Sequence, residues 1–170
     1  SHCGIGHTRW ATHGVPNDVN AHPHRQGRVT LVHNGIIENY RSLRERLETE
    51  GYHFLTQTDT EIAAALLDHH LKLHNDPVTA IHSATAEMEG AYAFCMLLEG
   101  EPDTVYGIRR GSPLIAAQDE GGSYVASDVP AIIEYIRRYY LLEEEEVVAA
   151  HRGTLQFYSP DGTPIEKEAK

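Results

Sequence analysis

The spacing of apolar and polar positions changes several times along this chain, and each change marks an element. Residues 29–33, VTLVH, are apolar and mostly β-branched, and read as a strand ending at Asn34-Gly35. Between Asn39 and Gly51 the period lengthens. Leu43 and Leu47 stand four apart, as do Arg41/Glu45 and Arg44/Glu48, the spacing of one helical face. Asn39 suits the helix N-cap and Gly51 its stop. A second helix is predicted over IAAALLDHHLKLH, introduced by TQTDTE, in which Thr58 and Glu61 are spaced as a capping box. Asp76-Pro77 opens a third helix that runs to Met88 and closes at Gly90.

From residue 91 the pattern is mostly β. AYAFCMLL is apolar without alternation, as in a strand buried on both faces, and TVYGIRR, LIAAQ and YVASD follow between Gly- and Pro-containing turns. A short helix is predicted near 130–137, then strand-like pieces in YYLLEEEEVVAAHRG and TLQFYSPDG, and a Pro160-Asp161-Gly162 turn before a polar tail. Helices gathered in one early block, with strands on either side, predict helices packed on an antiparallel-rich sheet rather than alternating βαβ units. The fold class expected is α+β, in layers.

Composition narrows the function classes. A chain of 170 residues suits one domain over 1–170, and 41% hydrophobic with 23% charged residues is a globular mixture able to bury a core. A formal charge of −11 at pH 7 opposes nucleic-acid phosphates and anionic membrane surfaces as partners. No stretch approaches the roughly 18 apolar residues of a membrane helix. The cysteines, Cys3 and Cys95, form no disulfide framework, and Cys95 in its apolar run reads as a buried small hydrophobe. A cytoplasmic setting is the expectation. The opening SHCGIGHTRW carries neither an initiator Met nor a cap signal and reads as entering a domain partway.

Histidine numbers twelve, with His7, His13, His22, His24 and His33 near the start. Their spacing fits no metal-ligand pattern, so no metal or other cofactor is expected and the histidines read as structural or loop-ordering. Residues 143–146, four glutamates, read as a solvated edge or turn. Asp59, at the start of the second helix, either caps it or turns its carboxylate into a cleft to grip a cation. Asn34-Gly35 is either a tight turn or an oxyanion hole, in which an Asn amide and a Gly N–H converge on a developing negative oxygen. No matching second strand follows it, since IIENY runs into a helix. Arg9, between Thr8 and Trp10, can present a fork to a carboxylate. Together these describe a pocket for an α-amino acid undergoing acyl chemistry.

GIGHTRWATHG, NAHPH, HNGIIEN and TDTE, in this order and spacing, with RRGSPL and ASD further on, resemble the glutaminase domain of the glutamine–fructose-6-phosphate aminotransferases over essentially the whole chain. The resemblance implies the four-layer αββα sandwich of the N-terminal-nucleophile hydrolases, incomplete here at its N-terminus. It implies that Arg9 binds the glutamine α-carboxylate with Thr12 and His13 lining the pocket, that Asp59 holds the α-ammonium, and that Asn34 and Gly35 form the oxyanion hole. Trp10 would lie on the ammonia passage. Glutamine or glutamate, and fructose 6-phosphate through a sugar-isomerase domain absent from this sequence, are the implied ligands, in a homo-oligomer. Relatives begin with a catalytic cysteine whose α-amine is the general base. Only five residues separate Cys3 from Arg9, so Cys3 is not expected to replace it and the chain as written is expected to be inactive. Two other readings stay open: another amidotransferase of the superfamily, such as an amidophosphoribosyltransferase, and an amino-acid-binding module without a nucleophile.

Overall fold

The structure, a computed structural model, describes Ile5 and residues 24–56, 58–119, 122–127 and 138–170. Its strands are β1 (His24–Gln26), β2 (Val29–Ile37), β3 (Gly90–Leu98), β4 (Glu101–Arg110), β5 (Ile115–Asp119), β6 (Gly122–Ala126), β7 (Tyr140–Leu141), β8 (Val147–His151), β9 (Thr154–Tyr158) and β10 (Pro164–Ile165). The helices α1 (Tyr40–Thr49), α2 (Asp59–Leu73) and α3 (Pro77–Ala86) all fall between β2 and β3. Seven strands form one sheet in the order β1-β2-β3-β4-β8-β9-β10, and three form a second, β6-β5-β7, each strand pair within them antiparallel.

Strand alternation sorts the large sheet into two faces. On β3, Tyr92, Phe94, Met96 and Leu98 join the core beneath the helices with Leu31, Ile37 and Ile108. Ala93 faces the second sheet with Val148, Phe157, Leu114, Ala116 and Leu142, and the partly buried Cys95 packs there. Strand β3 is thus covered on both sides, as its unbroken apolar run predicts. Gly107 on β4 makes the inter-sheet approach possible, because a Cβ there would lie 2.9 Å from Leu114 Cδ2 and 3.1 Å from both Val125 and Val148. In β5, Ala116 joins the inter-sheet core while Ile115 and Ala117 are buried as well, so that strand is covered on both faces, as the four-layer arrangement requires. The helix predicted near 130–137 lies outside the described residues.

Helix α1 turns Leu43 and Leu47 inward and carries the expected Arg44–Glu48 ion pair at 3.4 Å. Its N-cap Asn39 makes no side-chain cap; the amide instead donates to Glu87 O and accepts from Glu89 N–H, clipping the α3–β3 turn. Helix α2 is buried around its whole circumference from Asp59 to Asp68, which Ala63, Ala64 and Ala65 permit by letting neighbours approach closely. Helix α3 begins as predicted, Asp76 accepting from Thr79 N–H at 3.0 Å ahead of Pro77, but ends at Ala86 rather than Met88.

Two expectations are corrected. Strand β2 does not stop at Asn34-Gly35: it continues to Ile37, with Asn34 opposite Ala93 and Gly35 opposite Tyr92, because β3 supplies the partner that the following residues lack. The capping box of α2 does not form, Thr58 making no side-chain cap. After the Pro160-Asp161-Gly162 turn, Pro164 and Ile165 pair with β9.

Candidate active site

The second half of β2 gathers the described candidates. Gly35 holds φ +106, and a Cβ there would stand 2.2 Å from the Ala91 carbonyl oxygen, so the position admits glycine alone. Gly35 and the following Ile36 are exposed, and an approaching ligand meets main chain rather than side chain at Gly35. Asn34 shares the sheet face of its partner Ala93, the side of the second sheet. His33, one residue earlier, lies buried on the helix side with its ring 4.8 Å from that of Phe94.

Asp59 comes to the same strand from the helix layer. It is 3% exposed, and its Oδ2 accepts from the Ile37 N–H at 2.9 Å, two residues past Gly35. Its Oδ1 lies 4.0 Å from His33 Nδ1, which meets Thr60 Oγ1 at 3.2 Å. As the first residue of α2, Asp59 places its charge at the positive end of the helix dipole while its hydrogen bond goes to the strand. Asn34, Gly35 and Asp59 therefore converge on one short stretch of β2, with Asn34 and Asp59 reaching it from opposite faces. Arg9, Trp10, Thr12 and His13, and Cys3 with them, lie outside the described residues.

A donor set at the α2 N-terminus explains the missing capping box. Glu61, 3% exposed, accepts from Thr56 N–H at 2.8 Å and Thr56 Oγ1 at 2.9 Å on one oxygen, and from Leu55 N–H at 3.1 Å and Gln26 Nε2 at 2.8 Å on the other. Thr56 Oγ1 lies 2.9 Å from Thr58 Oγ1, which is 3.1 Å from His24 Nε2. The preceding loop thus takes the carboxylate that a capping box would have turned to the N-cap.

Comparison with known proteins decides the family. A family model for the glutamine amidotransferase domain matches residues 7–134. The chain belongs to that family.

This glutamine amidotransferase domain is 45% identical over 167 residues to the glutamine–fructose-6-phosphate aminotransferase (isomerizing) of Clostridium acetobutylicum, a match covering 97% of the chain and 27% of the relative. The enzyme of that name from Clostridium tetani is 44% identical over 167 residues, with the same coverages of 97% and 27%. The chain thus spans roughly a quarter of the length of these relatives. A glutamine phosphoribosylpyrophosphate amidotransferase from B. subtilis superimposes with a TM-score of 0.71 at 24% identity, over 91% of this chain and 34% of that one, and shows the shared class II amidotransferase fold.

Elsewhere in the amidotransferase domain, the acidic run forms the expected solvent-facing turn, with Glu143 and Glu144 exposed and only Glu146 buried, and its acids are also paired. Glu144 takes the Arg109 guanidinium at 3.0 Å and the Gly111 N–H at 2.9 Å, Glu145 pairs with Arg110 at 2.5 Å, and Glu146, 8% exposed, pairs with Lys167 at 2.6 Å. Each acid holds a neighbouring segment in place. Among the described histidines, besides His24 and His33, His70 Nε2 meets Glu87 at 2.5 Å and His82 Nε2 the Glu145 carbonyl at 2.8 Å. Desolvation pushes the Cys95 thiol up to about 12, so it stays protonated and unreactive. Among the described residues no group of three or more His, Cys, Asp or Glu is placed to hold a metal, and no helix is long and apolar enough to cross a membrane. Glu61, Gln26 and His24 are the site's neighbours that sequence reasoning missed as a unit. The sequence carries no signal that groups them, since Gln26 and His24 reach Glu61 and Thr58 only because β1 folds beside the start of α2.

Proposed function

We propose that this chain binds glutamine and stabilises the tetrahedral intermediate of its amide hydrolysis, as the glutaminase portion of a cytoplasmic, oligomeric enzyme that passes the ammonia to fructose 6-phosphate. The observation that carries the reading is the strand-held Asn34-Gly35. A tight turn would spend both residues on reversing the chain, whereas here they sit in a ladder, at an exposed end where Gly35 has no room for a side chain.

In this reading a cysteine thiolate adds to the glutamine side-chain carbonyl carbon, and negative charge moves to the carbonyl oxygen. The Asn34 side-chain N–H and the Gly35 main-chain N–H donate to that oxygen, and they are already fixed before charge develops, which is the source of their catalytic value. The cysteine α-amine, which took the thiol proton, gives it to the leaving nitrogen as the intermediate collapses, so ammonia departs and leaves a thioester that water hydrolyses to glutamate. Arg9 takes the α-carboxylate, with Thr12 and His13 lining the pocket. Asp59 takes the α-ammonium, and Trp10 faces the departing ammonia. Similarity at 45% to the sugar aminotransferases, against 24% to the phosphoribosyl amidotransferase, supports fructose 6-phosphate as acceptor. Cys3 is not assigned as nucleophile, and steady glutamate release by the 170-residue polypeptide, abolished in Cys3→Ala, would overturn that.

Asn34→Ala tests the core of the proposal in the protein expressed from its complete gene. Glutamate release is expected to lose about 10²–10³-fold in kcat with little change in KM, because the lost donor acts on the intermediate and not on bound glutamine. An unchanged kcat would remove Asn34 from the oxyanion hole.

A further inference from the structure

Glu61 is a carboxylate almost fully withdrawn from water, which is costly unless each oxygen is well supplied with donors. Here both are: Thr56 N–H and Oγ1 on one, Leu55 N–H and Gln26 Nε2 on the other. With every group facing it a donor, the site calls for an acceptor at both oxygens. A glutamine of the same shape would bring its NH2 against donors and leave them unpaired. The helix itself does not need this side chain, since Thr58 starts α2 without a side-chain cap.

What the carboxylate does hold is the approach to Asp59. From Glu61 the hydrogen bonds run to Thr56, from Thr56 Oγ1 to Thr58 Oγ1, and from there to His24 in β1. Gln26, also in β1, ties Glu61 to the His53 carbonyl at 2.8 Å. Asp59 is the residue between Thr58 and Thr60, so its main chain is set by this network while its carboxylate is set by the Ile37 N–H. We infer that Glu61 is a positioning residue for substrate recognition: through Thr56, Thr58 and β1 it fixes the first turn of α2, so that Asp59 meets the α-ammonium of glutamine. This rests on the reading of Asp59 given above.

The readout is the ratio of kcat/KM for glutamine to that for glutaramate, the same amide without its α-amino group, measured as ammonia release by the protein expressed from its complete gene. Asp59→Ala is expected to lower the ratio about 10- to 100-fold, the range for a hydrogen bond to a charged group. Glu61→Gln is expected to lower it about tenfold. Thr58→Val, which cuts the link to His24 without touching the buried charge, should move it in the same direction, and Thr58→Ser should restore it. Thr58→Val and its rescue carry the test if Glu61→Gln does not fold. A merely structural role lowers both substrates together and leaves the ratio unmoved. If Asp59→Ala lowers the ratio while Glu61→Gln and Thr58→Val do not, the positioning role is overturned and the Asp59 reading stands. If Asp59→Ala leaves the ratio unchanged, the Asp59 reading fails and the inference with it. No ammonia from glutamine at all would overturn the functional proposal itself.

Discussion

Along β3, successive residues face two differently built interiors. Toward the helices it presents Tyr92, Phe94, Met96 and Leu98; toward the second sheet it presents Ala93 and Cys95, with Gly107 beside them on β4. Helices are thick and leave irregular space over a sheet, which long side chains must fill. Two sheets stack about 10 Å apart with interdigitating side chains, and here the short residues of β3 and β4 leave the room that Leu114, Val125, Val148 and Phe157 fill. At β3 and β4 the sheet therefore depends on volume on its first face and on the absence of volume on its second.

That contrast predicts opposite sensitivities. The largest effect is expected from Phe94→Ala, which empties a ring-sized space under the helices and should cost about 3–5 kcal/mol by chemical denaturation. Gly107→Ala adds one methyl against Leu114, Val125 and Val148 and should cost about 1–3 kcal/mol, although alanine is otherwise the gentlest replacement. If the methyl proved harmless, the inter-sheet face would have room to spare and the contrast would collapse. Within the helix layer, Asp76→Ala removes the cap on Thr79 and should cost about 1 kcal/mol, sharpening the division between local helix signals and packing volume.

The smallest effect concerns pH and the pin between helices. Burial works to raise the Glu87 carboxyl, but hydrogen bonds from Arg46 and His70 outweigh it and hold it below its ordinary 4.5. A depressed folded value means that the stability Glu87 contributes is present above about pH 4.5 and lost as pH falls through the folded value. Glu87→Gln should therefore flatten the acid side of the stability curve and leave its neutral side nearly parallel to that of the parent. Denaturation midpoints between pH 3 and pH 7, with about half-unit steps, resolve it.

The same division decides what could be read beforehand. Leu43, Leu47 and Asp76-Pro77 announce helices by local spacing, and α1 and α3 follow within a few residues. The apolar run of β3 announces burial on two faces, which the two cores supply. Local signals mislead where a distant partner takes over. Asn34-Gly35 has the composition of a turn but stays extended because β3 pairs with it, and Glu61 has capping-box spacing but turns to the loop before it. Strands β1 and β10, three and two residues long, exist through their pairing and carry no periodicity of their own. Of the candidate site, Asn34, Gly35 and Asp59 were singled out by residue type. Their supports in Glu61, Gln26 and His24 were not, because only the folded chain brings β1 beside the start of α2.

Pairing of β2 with β3 runs unbroken from Val29 opposite Leu98 to Ile37 opposite Gly90, and all three helices lie in the chain between them. Closing so long an intervening segment carries an entropic cost that local helix contacts do not share, so this ladder is expected to form after the helices have begun to organise. Asn34 and Gly35 then acquire their geometry late, from a partner strand that is remote in sequence. A folding intermediate with its helices in place but this ladder unformed would hold Asn34, Gly35 and Asp59 without the geometry that β3 gives the first two.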